Sequence, residues 1–253
     1  MTQCIRYCVM ASLYPPPPFV THIGRRLFYT AAVNQSEVFM FATLKRLPSA
    51  WLLLVQSVML ISAPILSSNT GTHAFSWVLS ALALLLVGVV IRNSPIFNSI
   101  GFVLVGAALV LSALVALGHT EWTLWANIVE GLAYFYAAFG MIWYMLDDHV
   151  VTRDELFAAA AVFTLLVWGF AFLYSACQLV YPNSFTAAVN SEQPRTWLEL
   201  LFLSFTSMSS TGLGDVIPIS PPARVIASIQ MFSGVMYVAL IVSRLVGLVG
   251  MKR

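Results

Sequence analysis

Six apolar blocks, each about the length needed to cross a hydrocarbon layer, constrain this chain more than any other feature. They cover residues 51–68, 75–91, 100–118, 122–146, 156–181 and 222–249. A helix rises 1.5 Å per residue, so a bilayer core about 30 Å thick takes roughly 20 residues. The composition agrees: of 253 residues 60% are hydrophobic and 9% charged, against roughly 25% charged in a soluble domain. A net charge of +2 from twelve basic and ten acidic side chains provides no polyelectrolyte surface, which sets aside nucleic-acid binders, cytosolic enzymes and disordered scaffolds. The expected class is an all-α, multi-pass membrane protein.

Basic residues favour the cytoplasmic side of short loops. With the N-terminus inside, Lys45, Arg46, Arg92, Arg153, Arg244, Lys252 and Arg253 all fall on that side, and only Arg195 and Arg224 fall outside. Both termini are therefore expected in the cytoplasm. Residues 1–47 differ from the rest: the run Pro15–Pro18 forbids a helix there and favours polyproline II. An alternative start at Met40 would give the compact basic opening MFATLKRLPSAW, leaving 1–39 outside the native protein; intact mass distinguishes the two. Cys4, Cys8 and Cys177 cannot make a disulfide framework and are read as structurally idle.

A seventh block, 196–209, is too short to span. Thr196-Trp-Leu-Glu199 is a capping-box pattern, so a helix is expected to begin at Thr196 and reach only partway across the membrane. The chain then reads SSTGLGD over 209–215 and returns through Pro218, Pro221 and Pro222 into the last block. Non-helical backbone at membrane depth is tolerated only where protein buries it or water reaches it. A half-helix, a glycine-rich return and a full helix make a re-entrant loop between the fifth and sixth spans.

The stretch LFLSFTSMSSTGLGDVIPISPPAR resembles the pore helix, filter and post-filter turn of the tetrameric potassium-channel superfamily. The ending MYVALIVSRLVGL is similar to the last helix of the small bacterial two-pore-like ion-channel family. The resemblance covers roughly the last 60 residues, with 156–181 as the outer helix; the first four spans match only in number. It implies a homotetramer in a cell membrane, a bacterial inner membrane by likeness, with K+ as permeant ion and no other cofactor. Backbone carbonyls from four chains would replace the hydration shell of the ion. Ser210, Thr211, Gly212 and Leu213 would supply the K+ sites, with Gly214 completing the filter and the Ser210 hydroxyl the innermost site. Gly212 and Gly214 supply the alternation that left-handed dihedrals require. Asp215, Phe202 and Thr206 take the places of filter-supporting residues. Gly234, nineteen residues after Asp215, matches a gating hinge, with close helix packing as the other reading of a membrane glycine. Val235, Val238 and Val242 would then line the cavity.

Three filter positions depart from the common TVGYG: serine for the first threonine, Thr211 for valine and Leu213 for the aromatic. A polar side chain behind the filter, and Phe202 and Leu203 where relatives carry stronger aromatic bracing, imply a looser filter and weaker discrimination against sodium.

The fourth span, 122–146, has no arginine, which disfavours a voltage sensor, because each charge contributes only about 2.3 kcal/mol per 100 mV. Glu130 is the one carboxylate well inside a span. It is read either as a neutral acid hydrogen-bonded to a neighbouring helix or as a proton-sensitive latch. Asp147, Asp148, His149, Arg153, Asp154 and Glu155 read as a solvated turn, and His73 and His119 as ordinary loop histidines. The expected organisation is an irregular segment 1–47, a four-helix region 48–150 and a pore domain 151–253.

The tetrapeptide Gly212-Leu-Gly-Asp215 also resembles the GxGD signature of presenilin-like intramembrane proteases. Aspartyl catalysis needs a second carboxylate beside the first, and Asp147 and Asp148 are expected at the opposite membrane face. A nonselective cation channel and a nonconducting membrane subunit are the remaining alternatives to a potassium channel.

Overall fold

The structure, a computed structural model, describes residues 48–67, 98–147 and 153–250. The expected span 75–91, the segment 1–47 with Cys4, Cys8, Met40, Lys45 and Arg46, and residues His73, Arg92, Asp148, His149, Lys252 and Arg253 lie outside them. The elements are α1 (Pro48–Ser67), α2 (Asn98–Ala116), α3 (Thr123–Asp147), α4 (Arg153–Val180), β1 (Phe185–Ala187), α5 (Trp197–Met208), β2 (Val216–Pro218) and α6 (Pro221–Gly250). Four stretches are long and apolar enough to cross a bilayer: Ser99–Ala116, Thr120–Leu146, Asp154–Val180 and Pro221–Arg244. The protein is a multi-pass membrane protein. Ser49–Ser62 and Trp197–Met208 are apolar but shorter.

Helix ends follow local chemistry. At the end of α2, Gly118 takes φ 101°, His119 N–H donates to the Leu114 carbonyl and Gly118 N–H to the Val115 carbonyl, the paired bonds of a glycine-terminated helix. A turn of 3-10 helix over Thr120–Trp122 then reverses the chain into α3. At the start of α6, the Ser220 hydroxyl accepts from Ala223 N–H at 3.4 Å, and Pro221 and Pro222 fill first-turn positions that need no donor.

α4 is the hub. α3 lies along one side of it, α1 along another, and α5 and α6 cover the rest. Small residues let α3 come close: a side chain at Gly131 would meet the Gly169 carbonyl at 3.4 Å, and one at Gly169 would meet the Phe135 ring at 3.1 Å. Such contacts substitute for the hydrophobic drive that lipid-embedded helices lack. Tyr134 of α3 stacks on Trp168 and Phe172 of α4, and Phe172 meets Trp197 of α5 with centroids 4.4 Å apart. α1 is tied to α4 by polar contacts: Ser49 donates to Asp154 at 3.0 Å and Thr164 to Gln56 at 2.5 Å.

Two three-residue strands were not anticipated. β1 and β2 pair antiparallel with Phe185 opposite Pro218 and Ala187 opposite Val216. Segments this short show no two-residue periodicity, so no sequence pattern marks them. Buried Ser184 anchors the same corner, its carbonyl accepting from Ile219 N–H at 2.8 Å and its hydroxyl from Ser220 at 2.9 Å.

Candidate ion-conducting site

α5 begins as its sequence indicates. The Thr196 hydroxyl accepts from Glu199 N–H, and the Glu199 carboxylate accepts from Thr196 N–H at 2.7 Å, a complete capping box. The helix is held at this end by a residue that charge counting had assigned only to a membrane side. Arg195 is buried, ion-paired to Glu199 at 3.2 Å, and its guanidinium donates to the carbonyls of Val189, Asn190 and Gln193. Its backbone exchanges two hydrogen bonds with the Gln178 side chain of α4. A fork of donors suits a ring of loop carbonyls; the available signal was a lone arginine one residue before a helix cap.

At its other end α5 gives way to the loop 209–215. Ser209 ends the helix, its N–H and its hydroxyl both donating to the Phe205 carbonyl. The backbone then takes positive φ at every second residue: 58° at Ser210, 57° at Gly212 and 73° at Gly214. Two of these are glycines, as expected. The third is serine, which accepts a conformation costing a non-glycine residue about 1–2 kcal/mol.

Hydrogen bonds fix which way this backbone faces. Thr211 N–H and Gly212 N–H both donate to the Thr206 carbonyl of α5, at 2.9 and 3.1 Å. No peptide bond among the described residues is cis, and in a trans peptide the C=O points opposite to the N–H. The carbonyls of Ser210 and Thr211 therefore point away from α5, and residues 209–215 are all exposed in the protomer. The far end of the loop is fixed by Ala188 N–H, which donates to the Asp215 carbonyl at 3.2 Å, and by the β1–β2 pairing. The negative end of the α5 dipole faces the start of the loop, where a cation is favoured.

Thr206 is buried, and its contribution to the loop is its carbonyl. Thr211 is exposed, with its hydroxyl 2.7 Å from that of Ser209. Leu213 is exposed, and the Asp215 side chain makes no hydrogen bond or ion pair among the described residues. Phe202 is 39% exposed and faces outward from the protomer, whereas Leu203 is buried. Gly234 lies directly against α5: a side chain there would run into the Met208 carbonyl and stand 3.1 Å from Met208 Cα. This contact is the close helix packing that a membrane glycine allows. Val235, Val238 and Val242 are exposed on the face of α6 turned away from α4 and α5.

Away from the loop, Glu130 is buried on α3 and accepts a hydrogen bond from Ser112 of α2, the arrangement of a carboxyl satisfied by a neighbouring helix. The charge cluster departs from the solvated turn expected of it. Glu155 is buried and paired with Arg244 of α6 at 3.1 Å, because antiparallel packing brings the end of α6 beside the start of α4.

An ion-channel family model matches residues 160–250. No curated protein and no solved structure matches the chain. The matched residues take in most of α4, α5, the 209–215 loop and α6, and the match supports an ion channel of the potassium-channel superfamily.

Proposed function

Starting from that ion-channel domain, we propose that four copies of the chain form a potassium-selective pore that conducts passively along the ion gradient. Ser210, Thr211, Gly212, Leu213 and Gly214 would form the selectivity filter. The observation that carries this reading is the alternation of positive φ over Ser210, Gly212 and Gly214, together with the two N–H groups turned onto Thr206. That backbone leaves carbonyl oxygens facing away from the protein. A dehydrated cation needs a ring of such oxygens, and one chain supplies only one side of it.

The exposed surface of α6 supports assembly. Ala223, Ala227, Gln230, Gly234 and Tyr237, spaced alternately four and three residues apart, face α4 and α5. The opposite face presents Val225, Ile229, Phe232, Val235, Val238 and Val242, each about half exposed or more. In a tetramer this face would divide between neighbouring subunits and an apolar cavity below the filter, able to gate by dewetting. No arginine occurs in α3, so the pore is read as lacking a charged voltage sensor. Both termini are assigned to the cytoplasm of the cell membrane by the positive-inside count.

Reconstitution into liposomes under opposed potassium and sodium gradients tests the proposal. Potassium-driven flux blocked by barium is expected. Equal sodium flux would replace it with a nonselective cation pore, and absence of flux would overturn conduction.

A further inference from the structure

α6 carries one amide side chain among its apolar residues, and that side chain is completely buried. Gln230 has no exposed surface. The Tyr174 hydroxyl of α4 donates to Gln230 Oε1 at 2.5 Å, while Gln230 Nε2 donates to the Ser204 carbonyl at 3.0 Å and the Ser204 hydroxyl at 2.6 Å. Ser204 in turn donates to the Val167 carbonyl of α4 at 2.6 Å. Three helices are joined through one amide whose oxygen and nitrogen are both satisfied. At membrane depth no water replaces a broken member, so such a network resists being pulled apart.

Its position relative to the loop gives it a role. Ser204 lies two residues before Thr206, whose carbonyl holds the N–H groups of Thr211 and Gly212. One turn further along α6, Gly234 rests on Met208. α6 thus meets α5 twice, by hydrogen bonds at Ser204 and by backbone contact at Met208. Bending at Gly234 would have to open the contact at Met208, while the bonds at Ser204, on its N-terminal side, keep the first half of α6 on α5.

We propose that Gln230 is a positioning residue for the ion path: it fastens α6 to α5 so that displacement of the last helix at this level is delivered to the 209–215 loop. This rests on the channel reading above. Tyr237 provides the contrast, because its hydroxyl donates to the Ala159 carbonyl of α4 at 2.5 Å, a bond between α6 and the outer helix in which α5 takes no part.

The test uses the full chain in liposomes, with the potassium-to-sodium flux ratio as readout and assembly state checked by size exclusion. Gln230→Leu removes all three bonds of the amide and is expected to lower the ratio at least about tenfold, with assembly unchanged, while Tyr237→Phe keeps it. Gln230→Glu is expected to lose the ratio at neutral pH and regain it on acidification. A protonated carboxyl again offers one donor to Ser204 and one acceptor to Tyr174, the titratable group facing it from α4. An unchanged ratio in Gln230→Leu overturns the inference while the channel reading stands. If that variant fails to assemble, the Gln230→Glu profile decides: acid recovery supports the inference and a flat profile overturns it. A wild type that passes neither ion, or both equally, overturns the potassium reading and this inference with it.

Discussion

α4 and α6 are similar in length and both are apolar, yet the protomer treats them differently. Of the apolar span of α4, 61% is buried, against 22% for α6. α4 finds partners on every side within its own chain, in α1, α3, α5 and α6. α6 finds partners along one stripe and leaves the rest of its surface apolar and uncovered. The difference teaches that hydropathy locates a span without saying what it packs against. In α4, alanines and the single Gly169 at buried positions admit neighbouring helices; in α6, the buried stripe is marked by Ala223, Ala227 and Gly234 and by the polar Gln230.

The strongest way to break this contrast is to fill the buried stripe. Gly234→Val places a branched side chain against the backbone of Met208, where no side chain can move aside. Overpacking of this kind costs about 1–3 kcal/mol even in a core that can adjust. Loss of folded material in size exclusion is therefore expected; a stable, conducting Gly234→Val protein would show that neither close packing nor a glycine hinge is required here.

Cutting the contact between the two helices at Glu155 comes next. Glu155→Ala leaves Arg244 facing a buried site without its carboxylate, and removing one partner of a buried pair costs about 3 kcal/mol. Thermal unfolding in detergent should show the loss, and retained stability would show that the pair contributes little.

What was legible follows from the same contrast. Spans were readable because an apolar run of bilayer length has few other uses, and the start of α5 because Thr196 and Glu199 sit three residues apart with complementary donors and acceptors. The glycines of the loop announced their positive φ; Ser210 did not, since its dihedral is imposed by Gly212 and α5 rather than chosen by the side chain. Arg195 and Gln230 were visible as isolated polar residues, but the Gln178 that binds the Arg195 backbone and the Ser204 that binds Gln230 lie 17 and 26 residues away, at separations no local pattern encodes. Gln230 was the missed clue, because an amide in an apolar helix must find partners.

A milder change tests a third setting, the α2–α3 contact. Glu130→Gln keeps the acceptor that Ser112 uses, so stability should fall by less than about 1 kcal/mol. If Glu130 is a proton-sensitive latch, flux of the variant loses the wild-type response to pH; superposable profiles remove it as a sensor.

The smallest effect on folding is expected on the open face of α6. Val238→Asn should change protomer stability by no more than about 0.5 kcal/mol, as for other exposed sites. It should nevertheless alter conductance by wetting the cavity. A variant with unaltered flux would place Val238 against lipid or a neighbouring subunit.

The loop between α5 and β2 is fastened at both ends, by Thr206 on one side and by the Asp215–Ala188 bond and the β1–β2 ladder on the other. It behaves as a short span between two abutments. Such a span can neither slide along the axis nor change its length. The motion left to it is rotation of single peptide planes about their Cα–Cα axes, which exchanges an inward oxygen for an inward N–H. If the loop lines the ion path as proposed, turning one plane would reverse the sign of a site without narrowing it, and the Thr211–Gly212 plane, whose single N–H shares the Thr206 carbonyl with Thr211 N–H, has the least to lose by turning.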